Sequence, residues 1–432
     1  MIDFRPLPPA RRYRLANVSV PACLLGQSGD LIRHALVIDG ARIAADPDTA
    51  DAGVSDLPTL DMGGALVLPC FVDMHTHLDK GHIWPRSPNP DGTFMAALAS
   101  VAADQQARWR AEDVRGRMEF ALRAAFAHGT RAIRTHLDSS PSQDAISWPV
   151  FSALRAQWAP RIEMQAVSLA AVDQVDMAGD YARTADIVAE HGGVLGLVTY
   201  RTADLKGRLR RFFALASARG LDVDFHADES GDPASASLRA IAEVVLDLGY
   251  DRPVTVGHCC SLAVQPEAEA LHTLDLVARA GLNVVSLPMC NMYLQDRVPG
   301  RTPRWRGVTL VHEMKARGIN VSFASDNTRD PFYAYGDLDM LEVLREATRI
   351  AHLDHAAPDW IASVLSNPAR ACGFAAPSLM PGAPADLVIL RARSWTEALA
   401  RPQADRIVMR AGRAIDRALP DYGELDHLMR LP

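Results

Sequence analysis

Absences bound this chain first. Its 432 residues hold six cysteines, Cys23, Cys70, Cys259, Cys260, Cys290 and Cys372, and no two of them stand in a CxxC pair. Thiols so few and so scattered exclude a disulfide framework and fit reduced side chains in a cytoplasmic protein. No apolar run reaches membrane-spanning length, so no membrane partner is expected. The opening Met1-Ile2-Asp3-Phe4-Arg5-Pro6 lacks the basic and apolar regions of a secretory signal, and cytoplasmic localisation is the expectation. A long basic stripe is missing too; with a net charge of −7 and interspersed signs, no nucleic-acid surface is expected. Lysine is the scarcest cation, confined to Lys80, Lys206 and Lys315.

What is present reads as an ordinary globular enzyme. The apolar fraction is 48% and the charged fraction 22%, in a chain long enough for one large α/β barrel and a smaller unit. Residues 1 to 66 form short extended candidates such as Tyr13–Val20 and Leu31–Ile38, with no amphipathic helix. Residues 375 to 432 have the same texture, around Ala385–Leu390 and Arg406–Arg413. Between them, over residues 67 to 374, apolar runs alternate with helical patterns. The runs are Leu66–His75, Arg131–Leu137, Ile162–Leu169, Val194–Val198, Leu221–His226, Val254–His258, Asn283–Leu287 and Asn320–Ala324. Eight β/α units predict parallel strands closed into a (β/α)8 TIM barrel, whose site lies at the C-terminal ends of the strands.

Polar residues gather at those ends. His75 and His77 close the first run, spaced so that both point to one side of a strand. His136 and Asp138 follow the second, His226, Asp228 and Glu229 the fifth, and His258 the sixth. Asn291 comes after the seventh, and Asp326 and Asn327 after the eighth. A random scatter of 14 histidines would not favour strand ends so consistently. His75, His77, His226 and Asp326 together offer three imidazoles and a carboxylate with a position left for water, the catalytic pattern for Zn2+ that Fe2+ also fits. Glu229, three residues past His226, suits general acid/base work at a ring nitrogen, or else stabilises a helix start. His258 either orients an attacking water or is a buried structural histidine.

These residues resemble the cytosine-deaminase branch of the metal-dependent amidohydrolase superfamily. The resemblance is carried by Phe71–Asp79 (FVDMHTHLD), Arg134–Asp138 (RTHLD), Phe225–Glu229 (FHADE) and Gly257-His258-Cys259. It continues through Asn291–Arg297 (NMYLQDR) and Ser325–Phe332 (SDNTRDPF), in family order. It implies a distorted (β/α)8 barrel over residues 67–374 and a small β-sandwich built from 1–66 and 375–432. One Zn2+ or Fe2+ would be held at His75, His77, His226 and Asp326. It further implies that Glu229 shuttles a proton to a ring nitrogen, that His258 assists water, and that Asp326 protonates the departing amine. The expected reaction is hydrolytic removal of an exocyclic amino group from cytosine, 5-methylcytosine or a related base of pyrimidine metabolism, releasing ammonia. Relatives assemble, so a homo-oligomer is expected, although no sequence feature places an interface.

Two departures bear on substrate. Cytosine deaminase carries a glutamine after the third strand that pairs with the pyrimidine edge, and here the expected position falls near Ala171; the loss of that amide predicts an altered substrate. The His77-Leu78-Asp79-Lys80-Gly81-His82 stretch is similar to relatives acting on triazines. Lys80, Trp84, Asn327 and Phe332 are therefore the expected substrate-binding residues, with Lys80 and His82 either at the mouth or solvated in a loop. The alternative activity is cleavage of an alkylamine or ring amide from a triazine-like or cyclic-amide substrate. A two-metal, dihydroorotase-like site needs a lysine at the end of the fourth strand, and Thr199-Tyr200-Arg201 stands there instead. A barrel without chemistry would have lost a ligand or Glu229, and all are intact.

Overall fold

The computed structural model describes residues 7–46, 56–176, 179–355 and 358–430, so the expectation for Met1–Pro6 lies outside the described residues. Five strands come from the first seventy residues: β1 (Arg12–Pro21), β2 (Leu31–Asp39), β3 (Arg42–Ala44), β4 (Thr59–Asp61) and β5 (Leu66–Pro69). Eight more, β6 (Phe71–Thr76), β7 (Thr130–Asp138), β8 (Glu163–Leu169), β9 (Leu195–Thr199), β10 (Val223–Ala227), β11 (Val254–His258), β12 (Asn283–Ser286) and β13 (Asn320–Phe323), occupy the middle of the chain. β14 (Leu387–Leu390), β15 (Ile407–Arg410) and β16 (Arg413–Ala414) follow.

The chain ends share one sheet, in the order β16-β15-β14-β5-β1-β2-β3 with β4 beside β1. The sheet curls until its far edge meets the segment leading into β14: Ile43 N donates to Ala383 O and Ala385 N to Ala41 O, both at 2.8 Å. Strand periodicity explains what it encloses. Tyr13 and Leu15 of β1, Leu36 and Ile38 of β2, Val67 of β5, and Leu387 and Ile389 of β14 face one apolar core. The alternate residues of β5 and β14, Leu66, Leu68, Val388 and Leu390, face the larger core of the barrel. Both strands are buried on two sides, which is why they read as unbroken apolar runs.

One expectation is corrected here. The run Leu66–His75 is two strands, not one. β5 pairs antiparallel with β14, whereas β6 pairs parallel with β7. Pro69 has no N–H to continue a ladder. Cys70 N then turns to Asp386 O, and Phe71 N to Gly129 O, both at 2.9 Å, so the chain crosses between sheets at this point.

From β6 to β8 and from β9 to β13 the strands are hydrogen-bonded in sequence order, all parallel. Two narrow seams complete the ring. Val167 and Ala171 bridge to Val194 and Val198, and Thr76 bridges to Asp326. This is the eight-stranded barrel, distorted because those seams are isolated bridges, two at one and one at the other, in place of continuous ladders. Helices α1 (Phe94–Arg108) and α2 (Ala111–His128) separate β6 from β7. Then α3 (Asp144–Trp158), α4 (Asp180–Glu190), α5 (Leu205–Arg219), α6 (Ser237–Leu248) and α7 (Glu267–Arg279) each precede the next strand. α8 (Pro288–Leu294) and α9 (Val311–Ala316) lie between β12 and β13, with α10 (Met340–Ala351) and α11 (Ser366–Cys372) beyond.

α6 shows how such a helix is specified. Leu238, Ile241, Ala242 and Val245 repeat at three- and four-residue spacing and are all buried. Asp228, just past β10, accepts the backbone N–H of Ser237 and of Leu238 at 2.9 Å each, and Gly249 ends the helix at φ 60°. The loop that carries Asp228 and Glu229 is thereby tied to a helix packed on the barrel.

His82 follows the histidine strand but turns away from the mouth. It is buried against Phe120, with no hydrogen-bond partner on either ring nitrogen among the described residues, at φ 65°. Burial, with Arg329 and Arg117 nearby, pushes its pKa down to about 3. The unfolded chain therefore takes up a proton below its ordinary value of 6.5 that the folded chain refuses, and stability falls as pH drops from 6.5 toward 3. This group alone is expected to cost about 2 kcal/mol at pH 5 relative to pH 8. Asparagine tolerates the left-handed backbone. In urea unfolding of His82→Asn at the two pH values, the gap in stability should narrow by about that amount; an unchanged gap would show that His82 is not the group.

Candidate active site

β6 delivers His75 and His77, β10 delivers His226, and Asp326 follows β13 immediately. His226 Nε2 lies 3.2 Å from His75 Nε2 and 3.3 Å from His77 Nε2, while Asp326 Oδ1 lies 3.6 and 3.2 Å from the same two atoms. Ligand atoms around a tetrahedral ion at zinc–nitrogen bond length stand about 3.3–3.4 Å apart, so the spacing fits one small divalent metal. Burial, and then neighbouring imidazoles or Lys80, lowers the pKa of all three histidines well below the ordinary value, leaving them neutral with lone pairs to give. Both oxygens of Asp326 are buried, and among the described residues only the weak thiol donor of Cys290 stands against them. A buried carboxylate in that state is costly unless a cation sits against it. These residues fit a metal.

The seam between β6 and β13 holds the ligands in register. Asp326 N donates to His75 O at 2.9 Å. One residue earlier, Ser325 gives its N–H to Asp73 Oδ1 at 3.1 Å and its hydroxyl to Asp73 Oδ2 at 2.5 Å. The backbone turns sharply at the strand mouths, with left-handed φ at Asp228 (53°), His258 (69°), Cys259 (53°) and Asp326 (64°). Non-glycine residues pay for that conformation, roughly 1–3 kcal/mol each where strained, and such outliers gather at active sites.

Beside the cluster stand Glu229 and His258, the latter with a ring nitrogen within 4.8 Å of ligand atoms of His75 and Asp326. Asn291 of α8 reaches both, its Nδ2 lying 3.2 Å from Glu229 Oε1 and 2.9 Å from His258 Nδ1. His258 is buried and its pKa is pushed down to about 3 by burial and then His136; its Nε2 has no partner among the described residues. Burial, and then the charge of Asp326, raises the Glu229 carboxyl well above the usual range, with Lys80 opposing.

These groups open onto a cavity of about 670 Å3. Of the predicted site residues, His77, His226, Asp326, Glu229, His258, Lys80, Asn327 and Phe332 line it, with His75 buried beneath. Lys80 is neither solvated nor free. Burial works to lower its pKa, but Asp138, 2.9 Å away, and Asp79 reverse the sign and hold an ammonium in the wall. Its Nζ lies 5.4 Å from the ring centre of Phe332. Asp330 fixes this same stretch of wall, accepting from Asn327 Nδ2 at 2.7 Å and from Phe332 N at 2.8 Å. Trp84 is not among the lining residues. It is half-buried, with its backbone N–H on Arg329 O. Ala171 stands in the wall where an amide was looked for, and Gln174 lines the same side.

α1 was missing from the expected site. Phe94, Leu98, Val101 and Gln105 line the cavity from one helical face, at spacings of four, three and four. That periodicity was the available signal.

The amidohydrolase family model matches residues 121–415. A pterin deaminase from Rhizobium rhizogenes is 51% identical over 429 residues, covering 98% of each chain. An N-isopropylammelide isopropyl amidohydrolase from Pseudomonas sp. (strain ADP) is 27% identical, covering 82% of this chain and 87% of that one. Among solved structures, 5-methylcytosine deaminase from Klebsiella pneumoniae liganded with 5-fluorocytosine superposes with a TM-score of 0.77 at 26% identity, covering 95% of this chain and 98% of that one. The chain belongs to the amidohydrolase family.

Proposed function

We propose that this chain is a metal-dependent hydrolytic deaminase acting on a pterin, converting a 2-amino-4-oxopteridine and water into the 2,4-dioxopteridine and ammonia. The observation that carries the reaction class is the meeting of His75, His77, His226, Asp326, Glu229 and His258 on one cavity floor. The choice of a fused bicycle over a pyrimidine is supported by the 51% identity to the pterin deaminase. Two features of the cavity agree with it. Ala170 and Ala171 leave their stretch of wall without a bulky side chain, the Gln174 amide beside them being held by Ala171 N at 3.2 Å, and α1 extends the apolar lining through Phe94 and Leu98.

His75, His77, His226 and Asp326 would hold one Zn2+ or Fe2+, whose Lewis acidity makes water a nucleophile near neutral pH. Glu229 carries a proton and delivers it to the ring nitrogen beside the carbon that bears the amino group, making that carbon electrophilic. His258, gripped through Nδ1 by Asn291, directs Nε2 at the incoming water. Asp326 takes one proton of that water and returns it to the departing amine; the C–N bond breaks as the added hydroxyl becomes a carbonyl, and its proton goes back to Glu229. Lys80, kept charged by Asp138, donates to the ring's oxo group, and Phe332 and Phe94, edge to face at 5.4 Å, border the ring.

Ammonia release from pterin, cytosine, 5-methylcytosine and N-isopropylammelide by metal-replete protein tests the reading. Pterin is expected to exceed cytosine in kcat/KM by roughly 10²-fold, because a single ring leaves the outer apolar wall unfilled. Preference for cytosine would return the substrate to the pyrimidines. Isopropylamine released in place of ammonia would make the chain an alkylamine hydrolase.

A further inference from the structure

The donor set contains one histidine that no step above uses. His136, near the end of β7, is fully buried, and neither ring nitrogen has a hydrogen-bond partner among the described residues. Its ring centre lies 4.0 Å from that of His75 and 4.7 Å from that of His226. His75, His77, His136 and His226 each bring one ring nitrogen within 4.8 Å of the other three. A neutral imidazole has one N–H and one lone pair to place. Asp224 Oδ1, without a hydrogen-bond partner among the described residues, lies 3.5 Å from His136 Nε2, and Arg134 holds the other oxygen of Asp224 at 2.9 Å. A carboxylate behind one ring nitrogen is the arrangement that orients metal-binding histidines, fixing the tautomer and making the other nitrogen more basic. With the N–H turned to Asp224, the remaining lone pair has no protein donor to meet.

We propose that His136 is a further nitrogen donor of the metal centre, completing a four-histidine set that retains the ion when the Asp326 carboxylate leaves it. Asp326 is asked to move a proton as well as to hold the metal; a fourth nitrogen frees it to do so without losing the ion. The inference rests on the metal reading of the site, which the metal content of the wild-type protein tests on its own.

The experiment measures metal per chain after gel filtration, and affinity by chelator competition, for the wild type, His136→Phe, Asp326→Ala and the double variant. Phenylalanine keeps the ring against His75 and removes both nitrogens. His136→Phe is expected to weaken metal binding roughly 10–100-fold. Asp326→Ala should keep most of its metal while losing turnover, and the double variant should lose it. Cobalt-substituted wild type and His136→Phe should differ in their visible absorption, which reports ligand number without reference to activity. His136→Gln provides the same reading if the phenylalanine variant fails to give a native circular dichroism spectrum. Affinity within twofold of wild type, or a double variant that holds metal as well as Asp326→Ala does, would overturn the proposal. Wild-type protein without metal would overturn the reading of the site beneath it.

Discussion

Glu229→Gln is expected to lower kcat for ammonia release by roughly 10²–10⁴-fold while leaving the metal content unchanged. The amide matches the carboxyl in size and keeps a contact for Asn291, so packing around the site should hold. What it cannot do is give up a proton. Burial, and then the charge of Asp326, keeps the Glu229 carboxyl protonated well above the usual range in the cavity as it stands. A divalent ion beside Asp326 would draw that pKa back down, since a bound cation inverts the local electrostatics. Glu229 is thus placed to change protonation state during the reaction, which is what a proton shuttle to a ring nitrogen requires. Steady-state rates and metal analysis on the same preparation decide the matter. A variant retaining a tenth or more of the wild-type kcat would assign the proton transfer elsewhere, and one that lost its metal would make Glu229 a supporting group of the metal centre.

Much of this site was legible before any coordinates because two periodicities carried it. The spacing of His75 and His77 needs only an extended strand, and the barrel rule sends His226, His258 and Asp326 to the same mouth. The unread parts depend on contacts distant in sequence. Nothing local distinguishes β5 from β6 within Leu66–His75; the division appears only when Asp386 and Gly129 take the backbone donors on either side of the break. The sequence leaves His82 and Lys80 open between the mouth and a solvated loop. One is buried against Phe120 and the other against Asp138, partners supplied by α2 and β7. His136 was recognised at its strand end, yet its membership in the histidine cluster rests on ring positions that the barrel's closure sets. Trp84 shows the converse: an aromatic residue near the motif is not among the residues lining the cavity, and its backbone N–H is tied to Arg329 O.

Metal removal should have the largest effect. After dialysis against a chelator, ammonia release is expected to fall below a hundredth of the starting rate and to return when Zn2+ or Fe2+ is added back. His77→Ala should match the stripped protein, without recovery. The argument is electrostatic as well as chemical. His226 Nε2 and Asp326 Oδ1 each stand 3.2–3.6 Å from the Nε2 atoms of His75 and His77, and among the described residues only the weak Cys290 thiol faces the Asp326 oxygens. An ion that binds only the folded chain stabilises it in proportion to its excess over Kd, by about 4 kcal/mol at a thousandfold excess. The stripped protein should therefore melt a few degrees lower as well as fail to turn over, the shift per kcal/mol being small in a chain of this length. The two readouts separate two roles. Full activity after verified metal loss would remove the ion from the chemistry. Lost activity at an unchanged Tm would mean that the barrel already holds the four donors in place through the Asp73–Ser325 seam, and that the ion adds chemistry alone.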